Sequence, residues 1–222
     1  MRGFFVFALL WWLIGNPIIA LLILLAVLYF LDRRFIGLLP SISKPFKQSR
    51  KINQLKQELK LQSHNTSSKL ELANLLLQKK RYEEALAYLE PILHQMEDSA
   101  EVHFGLGLAY LQIGQSERGE QHMLTSLELN PRVRYGEPYL HLGKAFADKA
   151  PDKALHYLEQ FQDVHTSSCE AYYRLGKLYM EMGRQQEAKQ AFAEALDIYR
   201  GLPKYKKKSE RRWALLSKLA GN

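Results

Sequence analysis

Hydrophobic side chains follow two different patterns along this chain. Residues 3–31 contain no charged side chain, and a helix of that length would reach about 43 Å, against about 30 Å for the hydrocarbon core of a bilayer. From residue 66 onward, apolar residues instead recur at helical spacing between polar ones. The pattern predicts an apolar N-terminal helix followed by an all-α body.

The N-terminal apolar run predicts one transmembrane helix over about Trp11–Leu31, kinked at Pro17. The run is much longer than the core of a cleaved secretory signal, which is the rival interpretation. Arg2 is the only basic residue before it, whereas residues 32–51 carry six. By the positive-inside rule, we expect a single-pass membrane protein with its N-terminus outside and its body in the cytoplasm.

A narrower apolar pattern follows within residues 35–63. After Pro45, the residues Ile52, Leu55 and Leu59 form one stripe of a predicted helix whose remaining surface is basic. Two interpretations stay open. The helix leans on the first unit of the body, or it lies against anionic lipid headgroups, where each basic residue is worth about 1 kcal/mol.

The body from residue 66 to residue 200 resembles itself about every 34 residues. Small residues recur in two series at this interval: Ala73, Gly107, Gly143 and Gly176, and then Ala85, Gly119, Ala154 and Ala188. Small residues let two helices approach closely. The body is therefore predicted to be a stack of four helical hairpins, at about 66–99, 100–133, 136–167 and 169–200.

Aromatic, Leu-Gly, Tyr and Ala positions recur within these units. The fourth unit carries most of them: Tyr172, Leu175, Gly176, Tyr179, Gly183, Ala188, Phe192 and Ala195. The second unit carries a subset: Leu106, Gly107, Tyr110, Gly114 and Pro131. This pattern resembles the tetratricopeptide repeat. The resemblance implies an all-α solenoid of about four helix-turn-helix repeats with a C-terminal capping helix, here preceded by the transmembrane helix.

In this family the first helix of each repeat lines a concave groove that binds a protein or peptide partner. The resemblance implies these groove residues: Leu70, Asn74, Leu77, Phe104, Leu108, Leu140, His141, Lys144, Tyr173, Arg174, Lys177 and Met180. The alternative, that several of them are core residues, stays open. One branch of the family binds chaperone C-termini through basic and Asn donors. Leu70, Gly105 and Glu137 stand at donor positions, so we do not expect that activity.

Charge is distributed unevenly, with two basic flanks around an acidic body. Residues 1–65 hold nine basic and two acidic side chains, and residues 201–222 hold seven and one. The single cysteine, Cys169, excludes an internal disulfide. Motifs for a metal, a nucleotide or an activated nucleophile are lacking, so we expect no enzyme activity and no cofactor. The acidic body speaks against nucleic-acid binding.

The basic C-terminal segment, residues 201–222, predicts an amphipathic helix that caps the last repeat. Its apolar side would carry Tyr205, Trp213, Leu216, Leu219 and Ala220. Because a cytoplasmic membrane surface is anionic, we also expect its basic residues to contact anionic lipid weakly. These membrane-surface residues are Lys204, Lys206, Lys207, Lys208 and Arg211.

The sequence thus predicts an anchor (1–34), a juxtamembrane linker (35–63), a repeat domain (64–200) and a cap (201–222). The predicted function is a membrane-tethered interaction scaffold, or adaptor, that recruits a partner through the groove at the cytoplasmic face. The alternative is a membrane-complex subunit, such as an assembly factor in envelope biogenesis, whose transmembrane helix makes the main contact. Asn16 motivates this alternative, since a polar group in lipid usually seeks a partner.

Overall fold

The computed structural model describes residues 11–12, 15–31, 43–164 and 168–221. These residues form eleven α-helices and no β-strand, as the sequence predicts. The helices are α1 (Pro17–Leu31), α2 (Ser43–Leu61), α3 (Thr66–Gln78), α4 (Tyr82–Leu93), α5 (Ala100–Gln112), α6 (Ser116–Leu129), α7 (Glu137–Phe146), α8 (Pro151–Asp163), α9 (Cys169–Glu181), α10 (Gln185–Gly201) and α11 (Lys204–Ala220). A 3-10 turn, Val133–Gly136, precedes α7.

Helix α1 begins at Pro17, directly after Asn16. The Asn16 side-chain oxygen Oδ1 accepts hydrogen bonds from the backbone N–H groups two and three residues later, at 2.9 and 3.3 Å. This is an N-cap. Gly15 has a φ of 72°, a left-handed conformation that separates α1 from the residues before it. The prediction of one continuous, kinked helix over about Trp11–Leu31 is therefore wrong.

Across the described ranges, none of the helices combines the length and the apolar character that a membrane crossing requires. Arg2 and the basic residues within 32–42, on which the predicted orientation partly rests, lie outside the described residues.

Helix α2 packs against the first hairpin. Its apolar stripe, Ile52, Leu55 and Leu59, is at most 9% exposed and joins the core formed with α3 and α4. Glu58 accepts a hydrogen bond from the Ser68 hydroxyl of α3 at 2.5 Å. Packing of this stripe against the repeats is confirmed, and contact of the basic side chains of α2 with anionic lipid stays a prediction.

Helices α3 to α10 form four successive helical hairpins, in which each odd-numbered helix packs against the helix that follows it. In the second hairpin, a Cβ on Gly107 would lie 2.9 Å from the Met123 backbone nitrogen and 3.0 Å from the Gly119 carbonyl oxygen. The other small residues of the second series are equally buried: Ala85, Ala154 and Ala188. Buried side chains form successive clusters along the stack, as expected for a solenoid.

Helix α11 closes the C-terminal end of the stack by packing against α9 and α10. Ala214 and Ser217 face this contact and are 4% and 0% exposed. The Trp213 ring lies 5.5 Å from the Tyr173 ring, measured between centroids. Because small residues form the centre of the contact, α11 lies close to the hairpin that it covers.

Two residues of the predicted apolar side of α11 are misplaced. Tyr205 and Leu219 are 78% and 72% exposed. They lie opposite Ala214 and Ser217 on the helix, so they face away from the repeats. The amphipathic pattern identified the helix but not its exact rotation about its own axis.

Candidate functional site: a groove along the first helices

Two adjoining cavities follow the side of the stack formed by the first helix of each hairpin. One, of about 460 Å³, lies among α3, α5 and α7, and the other, of about 370 Å³, lies between α7 and α9. Both are lined by His141, Lys144 and Arg174. The two cavities therefore form one continuous groove that crosses all four hairpins.

Ten of the twelve predicted groove residues line this groove: Asn74, Leu77, Phe104, Leu108, Leu140, His141, Lys144, Tyr173, Arg174 and Lys177. Two do not. Leu70 packs against the core of the first hairpin, and Met180 is 45% exposed outside both cavities. The role of these residues in partner binding stays a prediction.

The middle of the groove has an aromatic floor. Phe104 is 3% exposed, and its ring lies 5.8 Å from the His141 ring, measured between centroids. Burial lowers the pKa of His141 to about 4, and the nearby charges of Arg174 and Lys144 act in the same direction. At neutral pH this imidazole is uncharged and can offer one donor and one acceptor.

Arg134 enters the groove from the turn between the second and third hairpins. Its guanidinium donates two hydrogen bonds to a Glu101 carboxylate oxygen, at 2.7 and 2.8 Å, and one to the Asn74 side-chain oxygen at 3.3 Å. It also lies 5.1 Å from the centroid of the Phe104 ring. A single side chain thus connects α3 and α5 across the groove.

The backbone of this turn is left-handed over three consecutive residues. Arg134, Tyr135 and Gly136 have φ values of 48°, 58° and 80°, and this region costs a non-glycine residue about 1 to 2 kcal/mol. Gly136 is buried beside Phe161, to which a Cβ on this glycine would come within 3.2 Å. Local strain is therefore retained in the turn that directs Arg134 into the groove.

Eight lining residues were not predicted: Gln78, Lys80, Tyr82, Gln112, Arg134, Glu137, Leu178 and Glu181. Helical spacing could have found four of them, because each follows a predicted groove residue by four positions: Gln78, Gln112, Leu178 and Glu181. Arg134 has no such signal, since its position depends on the left-handed turn.

Beyond Arg134, four cationic residues line the groove: Lys80, Lys144, Arg174 and Lys177. Arg174 donates to Glu137 at 2.9 Å and to Glu170 at 2.6 Å. Burial raises the pKa of the Glu137 carboxyl, while Arg174 and Arg134 oppose that rise. Lys144 and Lys177 are exposed, and among the described residues neither makes an ion pair with an acidic side chain. These two ammonium groups are thus available to a ligand.

Within the described ranges, no group of three or more His, Cys, Asp or Glu side chains could hold a metal ion.

Cys169 is fully buried. Burial, followed by the nearby Glu210 charge, raises the pKa of its thiol to about 12. Its backbone N–H donates to the Glu210 carboxylate at 3.1 Å. Cys169 is thus a buried packing residue of the last repeat.

The predicted membrane-surface residues on α11 divide into two groups. Lys204, Lys206, Lys208 and Arg211 are exposed. Lys207 is turned toward α10, where its ammonium donates to the Arg200 carbonyl oxygen at 3.0 Å. It is therefore held against the fold and does not extend into solvent like the others.

Comparison with known proteins identifies the repeats. Two sequence models of the tetratricopeptide repeat match residues 76–136 and 170–201. The human Protein O-mannosyl-transferase TMTC3 is 22% identical over 156 residues, which are 64% of this chain and 17% of that protein. This chain thus spans less than a fifth of the length of that curated relative.

Solved structures share the fold. TTC0263, a thermophilic TPR protein of Thermus thermophilus, has a TM-score of 0.57 and 21% identity, covering 78% of this chain and 94% of that one. MamA has a TM-score of 0.54 and 22% identity, covering 73% of this chain and 96% of that one. At this level of identity the likeness concerns the fold, an all-α solenoid of tetratricopeptide repeats.

Proposed function

We propose that this tetratricopeptide-repeat solenoid is a membrane-tethered scaffold that recruits a protein or peptide partner through its groove. The observation that carries the proposal is the continuity of the groove across all four hairpins, with apolar, hydrogen-bonding and cationic side chains along it. Concave sites of this size with a few polar groups among apolar ones are typical of ligand binding. The proposed role is binding and not catalysis.

The groove favours a partner segment of mixed apolar and acidic character. Its C-terminal half joins Leu140, Tyr173 and Leu178 to the unpaired ammonium groups of Lys144 and Lys177. An apolar side chain of the partner would be buried against the three apolar residues. A neighbouring carboxylate of the partner would pair with the two lysines. Such charge complementarity contributes to specificity and to the rate of association.

The composition and exposure of α1 support the tethering part of the proposal. Large apolar side chains cover every side of this helix, and Ile18, Leu22 and Phe30 are 68%, 61% and 72% exposed. Such a surface favours an apolar environment over water. We place the N-terminus outside and the repeats on the cytoplasmic side, following the distribution of basic residues in the sequence.

The packing of α2 on the repeats limits how far they can extend from such an anchor. Residues 32–42 connect α1 to α2, and a segment of that length spans at most about 40 Å when fully extended. Helix α2 occupies most of the expected juxtamembrane segment, residues 35–63. We therefore propose that the solenoid works close to the membrane, where its basic C-terminal helix can contact anionic lipid.

The alternative function, a membrane-complex subunit that acts through its apolar helix, loses the observation that motivated it. The Asn16 side-chain oxygen is already bonded to the first turn of α1. Its polarity is therefore explained by capping and does not require a second membrane protein.

A photo-crosslinking experiment tests the groove. A photoreactive amino acid replaces Lys177, which lies in the groove, and in a matched variant it replaces Lys189, which is exposed on α10. The full chain is then irradiated in native membranes. We expect the Lys177 probe to capture one discrete partner and the Lys189 probe to lack that adduct. The same adduct from both positions would contradict the groove assignment.

A second experiment tests the anchor separately. Residues 1–34 are exchanged for an unrelated transmembrane segment, and retention of the chain is followed by alkaline extraction of the membranes. We expect the natural chain to resist extraction and the exchanged chain to keep the same crosslinked partner. Loss of the partner on exchange would instead favour the membrane-complex alternative.

A further inference from the structure

A slot opens on the outer side of the last repeat, between α10 and α11. It has a volume of about 410 Å³, within the range of roughly 300 to 1,000 Å³ that is typical of small-molecule sites. Leu196, Tyr199, Ala214 and Leu215 form its apolar walls, and the cationic residues Arg200, Arg211 and Lys218 also line it. The slot is separate from the groove, which α9 lines on the opposite side of the hairpin.

The outer face of α11 continues the cationic rim along the slot. Lys204, Lys208, Arg211 and Lys218 recur at spacings of four, three and seven residues, so they share one side of the helix. Leu219, next to Lys218, is 72% exposed on this side. Apolar and cationic groups are thus combined on one outward surface.

One acidic residue on each of the two helices has a defined partner. Asp197 pairs with Arg200 at 2.5 Å, and Glu210, the only acidic residue of α11, accepts a hydrogen bond from the Cys169 backbone at the buried side of the helix. The residues that line the slot thus combine apolar side chains with three basic ones and no acidic one.

We infer that this slot binds an anionic phospholipid, with an acyl chain between α10 and α11 and the phosphate among Lys208, Arg211 and Lys218. The apolar walls suit a hydrocarbon chain, whereas a bound peptide backbone would need hydrogen-bond partners that these side chains do not supply. A phosphate is matched by Lys and Arg side chains at the rim. The inference rests on the proposed membrane tethering, which would bring lipid to the slot.

The site differs from the lipid contact that the sequence predicts. It adds Arg200 and Lys218, which line the slot. It leaves out Lys206, which helical spacing places on another side of α11 from Lys208, and Lys207, which is bonded to α10. It also requires the apolar walls. A diffuse electrostatic contact would depend on charge alone, so the two can be separated by experiment.

The experiment uses the full chain in neutral detergent micelles, so that lipid reaches the slot whether or not the chain is membrane-anchored. Leu219→Cys carries an environment-sensitive dye, and Cys169 is too buried to compete for the label. Phosphatidylglycerol, phosphatidylcholine with the same acyl chains, and soluble glycerol phosphate are each titrated. We expect a saturable dye response to phosphatidylglycerol and none to the other two.

Two variants define the site. Lys208→Gln with Lys218→Gln should raise the half-saturating phosphatidylglycerol concentration about tenfold or more, whereas Lys149→Gln with Lys189→Gln, an equal change of charge at exposed sites elsewhere, should leave it unchanged. Leu215→Asn should abolish saturation with all cations retained.

Equal responses to phosphatidylglycerol and phosphatidylcholine, or a response to glycerol phosphate, would overturn the inference. The inference would also be overturned if the two double variants changed the half-saturating concentration equally, or if Leu215→Asn bound phosphatidylglycerol like the natural chain. Either result would indicate a diffuse electrostatic contact. Failure of membrane anchoring would show in alkaline extraction and not in these titrations.

Discussion

Nδ1 of His103 lies 3.1 Å from Nδ1 of His122, across the two helices of the second hairpin. Nε2 of His103 lies 3.0 Å from the Glu97 carbonyl oxygen and must carry a proton to bond with it. Nδ1 of His103 is then an acceptor, and His122 donates to it. This arrangement leaves no place for a proton on the His103 acceptor nitrogen, because two N–H groups would then face each other.

We predict from this pair, and from His141 in the groove, that acid destabilises the repeats. Burial lowers the pKa of His122, with His103 and Arg118 adding to the effect and Glu90 opposing it. The pKa of His141 is about 4. The folded chain thus binds fewer protons than the unfolded chain below about pH 6.5, so this stability is complete above that pH and is lost as the pH falls.

Thermal unfolding of the full chain, followed by circular dichroism, measures this effect. We expect the midpoint to fall by at least several degrees between pH 7.5 and pH 5, as a loss of a few kcal/mol would produce. His122→Gln and His141→Gln should each reduce the difference, whereas His64→Gln, at an exposed position, should not. An unchanged pH dependence in both groove and hairpin variants would contradict the prediction.

Two glycines of α5 offer a matched test of helix approach. In Gly107→Ala, the new Cβ would meet backbone atoms at 2.9 and 3.0 Å, which cannot move without separating the helices. In Gly105→Ala, the nearest atom is a terminal methyl carbon of Leu89 at 3.0 Å, which can shift. We expect the first change to destabilise the chain by about 1 to 3 kcal/mol, and the second to be near neutral because alanine favours the helix.

Chemical denaturation of both variants, monitored by far-UV circular dichroism, provides the comparison. If Gly105→Ala proved as destabilising as Gly107→Ala, close backbone approach at Gly107 would not be the cause.

The contact between Arg134 and Glu101 can be measured by a double-mutant cycle of Arg134→Ala and Glu101→Gln. Two hydrogen bonds to one carboxylate and partial burial should give a coupling free energy of about 0.5 to 1 kcal/mol. Arg200 and Asp197, an ion pair with side chains 76% and 60% exposed, serve as the comparison pair and should show almost no coupling. Equal coupling in both cycles would indicate that the turn does not hold Arg134 in place.

The capping role of α11 predicts unequal effects for two of its large apolar residues. Trp213→Ala removes the contact with Tyr173 in a partly buried position and should cost about 2 kcal/mol, below the range for fully buried aromatics. Leu219→Ala, at a position 72% exposed, should change stability by less than about 0.5 kcal/mol. Hydrogen exchange of the α9 and α10 amides should accelerate only in the Trp213 variant.

The local sequence could predict the stacked hairpins because each contact in a solenoid involves neighbouring repeats. Small residues at a regular interval, such as Gly107 and Gly119, fix where two helices approach, and helical periodicity then fixes which side of α3, α5, α7 and α9 faces the groove. Ten of the twelve predicted groove residues lie there for this reason. Lys144 and Lys177 were identified in the same way.

Other features depended on tertiary structure. The narrow apolar stripe of α2 predicted a helix that leans on the first repeat, and only the structure showed that α3 and α4 bury it. Helix α11 is rotated so that Ala214 faces the repeats and Leu219 faces solvent. Side-chain size alone would have favoured burial of Leu219. Arg134 reaches the groove because three consecutive residues adopt left-handed φ angles. Such choices depend on the fit between surfaces distant in sequence, and periodicity carries no information about that fit.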